Sequence, residues 1–184
     1  RHVPFREEIK LDTLSILLKY DNSLFPLPSP YQAASLVKQH GLSFDESLLN
    51  PTENALRYTT AFKKALNLGV YGANLSYLNI YDRVPKSIGY LSTIKKLTDD
   101  LGLSTAFDHN VFKKIENNLG NKDSLLSVLG RTYRDADSYL RINDRSEIGA
   151  LILTGGWVES LYILTQLSHQ SNNREIINRI GEQK

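Results

Sequence analysis

Cysteine and methionine are both missing from the 184 residues. Without Cys there is no disulfide, thiol nucleophile or thiolate metal site, and the compartment stays open. Without Met there is no initiator: the chain starts at Arg1-His2-Val3-Pro4, as a processed precursor or trimmed chain would, with no signal peptide in front. An excess of one charge is missing too, since 22 basic residues face 20 acidic ones. That balance gives no reason to expect nucleic acid or an anionic membrane as partner. The pairs Lys63-Lys64, Lys95-Lys96 and Lys113-Lys114 fall in polar helical stretches and read as solvated surface. The longest apolar run, from Ile148 to Val158, is interrupted by Glu159. It falls short of the ~18 residues that suggest a membrane span. No transmembrane segment is expected, and this run reads as a buried core helix.

What is present is helical periodicity. Apolar residues make up 41% and charged residues 23%, the balance of a globular chain long enough for one domain with a core. Residues 1–28 are the least regular. Ile9, Leu11, Leu14, Ile16, Leu17 and Leu18 suit a strand or a helix equally, and Pro26, Pro28 and Pro30 interrupt any continuous element. From Ser29 the signals sharpen, with Pro30 at the first helical position and Gly41 as terminator. Asn50-Pro51-Thr52-Glu53 repeats the start signal. After it Ala55, Tyr58, Phe62, Ala65, Gly69, Ala73, Ser76 and Ile80 form one stripe, which predicts a single helix to about Asp82. Gly69 and Gly72 lower helix propensity there unless another backbone packs close, which is the expectation. Pro85 opens a third helix with Ile88, Leu91, Ile94, Leu97 and Leu101 on one face and Gly102 as its stop. Asp108 starts a fourth that ends at Gly120. Asn121 to Asp123 start a fifth, whose outer face carries the acid-first pair Asp137 and Arg141. Asp144-Arg145-Ser146-Glu147 has the form of a capping box for a sixth helix, Ile148 to about Ser168, apolar nearly all round and so expected at a bundle centre. Asn172 is placed to cap a last helix. No repeat and no low-complexity segment is visible.

Chemistry is harder to find. The histidines His2, His40, His109 and His169 never pair at helical spacing, so no metal is expected. Asp135-x-Asp137 begins like a calcium loop but fails at Tyr139 and Leu140. There is no phosphate loop and no Gly-x-Ser-x-Gly elbow. Two features remain. Glu159 lies in the most apolar helix, where a carboxylate is costly unless paired or hydrogen-bonded. It reads either as part of a structural network or as a carboxylate of raised pKa in a ligand cleft, with Trp157 close in sequence. The second feature is aromatic: Tyr71, Tyr77 and Tyr81 crowd one helix, suited to a damp core edge or to a glycan or peptide groove.

Ala65-Leu66-Asn67-Leu68-Gly69-Val70-Tyr71-Gly72-Ala73-Asn74-Leu75-Ser76-Tyr77 resembles a family of uncharacterised helical proteins of Bacteroidetes-type bacteria. So do Lys96-Leu97-Thr98-Asp99-Asp100-Leu101-Gly102, Ala106-Phe107-Asp108, Asn121-Lys122-Asp123-Ser124 and the run from Gly149 to Glu159. The resemblance covers roughly residues 28–170. It implies export, to the periplasm or attached to the outer membrane, often through an N-terminal lipidated Cys that this chain lacks. It supplies no catalytic residue.

These readings predict an all-α single-domain bundle of about six helices, with an irregular segment over 1–28 and the helical domain over 29–184. The expected role is a non-catalytic binding or assembly component of the cell envelope with a protein partner and no cofactor. The alternative is a small-molecule or glycan-binding protein with a cleft near Trp157 and Glu159, and the candidate ligand-binding residues are Glu159, Trp157, Tyr71, Tyr77 and Tyr81.

Overall fold

The computed structural model describes residues 16–20, 23–27, 30–171 and 174–181. The fold is all-α. A two-stranded antiparallel hairpin, β1 (Ile16–Tyr20) and β2 (Ser23–Leu27), precedes α1 (Pro30–Gln39), α2 (Ala61–Ile80) and α3 (Val84–Asp100). After them come α4 (His109–Asn117), α5 (Lys122–Ile142), α6 (Ser146–Ser171) and α7 (Arg174–Gly181). The hairpin decides for strand at Ile16, Leu17 and Leu18, where the sequence left strand and helix open; Ile9, Leu11 and Leu14 lie outside the described residues. Pro26 pairs opposite Leu17 inside β2, a position proline tolerates because each strand of a two-stranded sheet has an open edge. Ser29 and Asn172, read above as helix caps, lie outside the described residues, as do 1–15.

The helix ends are set by local chemistry. Asp108, Asn121 and Thr60 cap α4, α5 and α2 by accepting the N–H of Val111, Ser124 and Lys63, which satisfies donors the helix itself cannot. Gly41 and Gly102 sit at positive φ beyond α1 and α3. In both, the next residue's N–H reaches back to the helix (Leu42 to Val37 O, Leu103 to Thr98 O), the double closure of a Schellman motif. Two further helices close the same way without glycine. Asp82 (φ 57) ends α2 and Asp144 (φ 53) ends α5, with Arg83 and Arg145 donating to Leu78 O and Leu140 O. Asp144 therefore terminates α5 instead of opening a capping box for α6.

Three further expectations are corrected. The second helix does not run unbroken from Pro51. Thr52–Arg57 is a 3-10 helix, Tyr58 is extended, and α2 starts at Ala61. The Thr60 hydroxyl captures a backbone N–H there and restarts the helix. Consequently Phe62 is exposed and leaves the stripe. In α3, Ile88 is exposed while Ser87 and Tyr90 are buried, because Tyr90 reaches inward to the Asn50 carbonyl. Finally, α6 packs on α1, α2, α5 and α7, yet Val158 and Tyr162 on its far side stay exposed.

The crossing of α2 and α6 is the centre of the molecule. A Cβ on Gly69 would strike the Ile152 carbonyl oxygen and stand 2.7 Å from Gly156 N. A Cβ on Gly155 would strike the Leu66 carbonyl oxygen. The two helices thus touch backbone to backbone through reciprocal notches. The Hα that replaces each Cβ points at a carbonyl oxygen, the arrangement of a Cα–H···O contact.

Candidate functional site

The residues singled out in the sequence fall in two places, the tyrosines beside the α1–α2 connection and Glu159 with Trp157 on α6, and the fold adds a third. Tyr71 and Tyr77 are fully buried and Tyr81 half-buried. Tyr71 donates to Pro51 O at 2.8 Å and Tyr81 donates to Leu42 O at 2.6 Å, while Tyr77 accepts the Asp45 N–H at 3.0 Å. All three hydroxyls are occupied in holding residues 42–51 of the α1–α2 connection onto α2. A long connection needs such partners for its backbone groups when it lies over a core. Two aromatic clusters result, Tyr58–Tyr71–Tyr90 and Phe44–Tyr77–Tyr81, with neighbouring ring centroids 5.1–6.5 Å apart. Lys38 and Arg83 stand over the second cluster. Burial pushes all three phenols up, Tyr81 to about 12. Tied down in this way, they pin a loop, and their hydroxyls are spent on its backbone.

Asn50 is the hub that the sequence reading took only for a helix start. Its N–H goes to Asn74 Oδ1 (2.9 Å), its carboxamide N–H to the Tyr58 hydroxyl, and its carboxamide oxygen accepts from Asn54. Its carbonyl accepts from Tyr90. Asn74, fully buried in mid-α2, accepts the Asn50 N–H through Oδ1 and donates from its carboxamide nitrogen to Glu159 Oε1 at 2.6 Å. Asn74 is one of three asparagines in α2, with Asn67 and Asn79, so an amide in this apolar run was a signal shared by several positions.

Glu159 is half-buried on the flank of α6 and crosses to α2 through Asn74, so the carboxylate is hydrogen-bonded. Burial raises its pKa, opposed by the Asn74 hydrogen bond. Its charge also adds to the upward push on Tyr90, which burial, then Glu46 and Glu53, dominate. Trp157 is partly exposed. Two residues apart on an α-helix means a rotation of about 200°, so Trp157 and Glu159 flank opposite sides of α6 and do not share a cleft.

The third place is the outer face of α6. Thr154, Val158, Tyr162 and Thr165 are exposed along it, with Leu151 half-buried, and no charge interrupts the stripe between Glu147 and His169. Val158 is 50% and Tyr162 43% exposed. Among the described residues no group of three His, Asp or Glu side chains is placed to hold a metal ion. No family model, curated protein or solved structure matches the chain.

Proposed function

We propose that the protein is a non-catalytic binding or assembly component of the bacterial cell envelope, docking a protein partner through the outer face of α6. The observation that carries this reading is the uncharged stripe from Leu151 to Thr165, in which Thr154, Val158, Tyr162 and Thr165 face solvent and Leu151 is half-buried. A helix lying on a soluble domain ordinarily turns charged residues outward, and a contiguous exposed apolar face marks an interaction surface. Tyr162, an apolar ring with a polar tip, is the residue type that anchors such contacts. The envelope location is supported by the family resemblance.

The same helix bears on the membrane question. Ser146–His169 is long and apolar enough to cross a bilayer, with 44% of its most apolar window buried inside the fold. Its packing against α1, α2, α5 and α7 accounts for the buried share, and docking accounts for the exposed remainder. We therefore read α6 as a core helix with one outward face. Glu159 favours a second reading, a small-molecule or glycan site on its flank, because it is a half-buried carboxylate of raised pKa with one hydrogen bond and no ion pair among the described residues.

Affinity capture from native membranes, analysed by mass spectrometry, tests the first reading. Val158→Asp and Tyr162→Asp are expected to keep the wild-type circular dichroism spectrum and melting temperature and to lose the captured partner. Retention of the same partners by both variants sinks the docking face. If only Glu159→Gln loses a bound small molecule, the second reading replaces it.

A further inference from the structure

We propose that the occupant of the α6 outer face is the same face of a second copy of this chain, packed antiparallel about a two-fold axis at Val158. This inference rests on the docking reading and names its partner. The stripe is Glu147, Leu151, Thr154, Val158, Tyr162, Thr165 and His169, all exposed except the half-buried Leu151. Its spacings of four, three, four, four, three and four are the same read from either end. On a straight α-helix the seven positions stay within an arc of about 80°, and each of the two eleven-residue steps drifts by about 20°. An antiparallel pair therefore sets Val158 on Val158, Thr154 on Tyr162, Leu151 on Thr165 and Glu147 on His169.

Each pairing is favourable in kind. At the axis, apolar meets apolar. The Tyr162 ring falls over the small Thr154, and branched Leu151 meets the Thr165 methyl. At the two ends the stripe's one carboxylate, Glu147, meets its one imidazole, His169, across the axis. Both threonines have already placed their hydroxyl donors: Thr154 donates to Ala150 O at 2.8 Å, and Thr165 to Leu161 O at 2.7 Å. With those donors satisfied inside the helix, covering the threonines leaves no hydroxyl proton unmet. A single helix-on-helix contact lies at the small end of specific interfaces, so a weak dimer is expected, populated at high protein concentration.

The absence of cysteine makes the test direct. Under mild oxidation, full-length Val158→Cys is expected to form a disulfide dimer at least ~10-fold faster than Leu56→Cys, which is exposed on the 3-10 helix away from α6. A mixture of Thr154→Cys and Tyr162→Cys chains should cross-link to each other in preference to themselves. In sedimentation equilibrium, Val158→Asp sets two carboxylates together at the axis and should weaken association at least ~10-fold. His169→Glu should weaken it, and Glu147→Lys added to His169→Glu should restore it. Oxidation of Val158→Cys no faster than Leu56→Cys, or a wild-type monomer up to about 1 mM, where even millimolar affinities register, overturns the pairing. In that event the docking reading stands if Val158→Asp still abolishes partner capture, and falls with the pairing if it does not.

Discussion

Replacing Gly69 by alanine measures the α2–α6 crossing directly. The added methyl has nowhere to go: it meets the Ile152 carbonyl and the Gly156 nitrogen, both backbone of a helix that is itself buried here and cannot rotate a side chain aside. The helices must separate. Overpacking of this kind costs about 1–3 kcal/mol, and breaking each Cα–H···O interaction adds about 0.5–1 kcal/mol. Against this, alanine improves helix propensity over glycine by about 1 kcal/mol. The net expectation is a destabilisation of about 2 kcal/mol, a fall in melting temperature of about 4–8 °C for a chain of this length. Gly89 in α3 supplies the control, since a Cβ there meets nothing within 4 Å. Gly89→Ala receives the propensity gain alone and should stabilise by about 1 kcal/mol. The assay is urea denaturation followed by far-ultraviolet circular dichroism at constant m value. Gly155→Ala should resemble Gly69→Ala, and the double variant should cost less than both singles together, because helices already parted accommodate the second methyl. If Gly69→Ala instead stabilises as Gly89→Ala does, the backbone-to-backbone crossing and the reasoning built on it are wrong.

Other outcomes are equally specific. Glu159→Ala leaves the buried Asn74 donor without an acceptor and should cost about 1–3 kcal/mol, while Glu159→Gln keeps an acceptor and should cost less; equal destabilisation in denaturant melts would show that packing, not the hydrogen bond, matters. Because burial holds the Glu159 carboxyl above its ordinary value of 4.5, its contribution is fully present below that value and is lost as pH rises through the folded pKa. The stability of wild type relative to Glu159→Gln should therefore fall as pH is raised from about 4 to about 7, and a difference that rises over that window contradicts the assignment. Asp144→Gly relieves a left-handed, exposed residue and should stabilise by about 0.5–1 kcal/mol, with Asp144→Val shifting by more than that in the opposite direction; a calorimetric scan with both variants at wild-type melting temperature would remove the strain argument. Tyr90→Phe unties the Asn50 carbonyl and should cost about 0.5–1.5 kcal/mol, with proteolysis near residues 50–60 accelerated; unchanged cleavage would show that the tyrosine does not hold the loop.

Helical class, most helix ends and the need for a close neighbour at Gly69 were legible in the order of residues alone. Those properties depend on short-range chemistry: a side-chain oxygen three residues from an N–H, a glycine at positive φ, an apolar period of 3.6. They fail where two local solutions compete. At Asp144 the same residues can cap the following helix or close the preceding one, and the return of Arg145 to Leu140 O settled it for the latter. At Thr60 a continuous apolar stripe concealed a restart. The work done by the polar residues emerged only from the folded chain. Tyr71 and Tyr77 lie in α2 and Tyr81 directly follows it, yet their hydroxyls are taken by Pro51, Asp45 and Leu42, partners brought back by the path of the chain between α1 and α2. Asn74 and Glu159 are 85 positions apart, and no local pattern joins them. The outer face of α6 was hidden for a related reason. A helix apolar all round looks the same in sequence whether it is enclosed or leaves one side open, because which side its neighbours occupy depends on the number and placement of the other helices, and only the packed bundle specifies that.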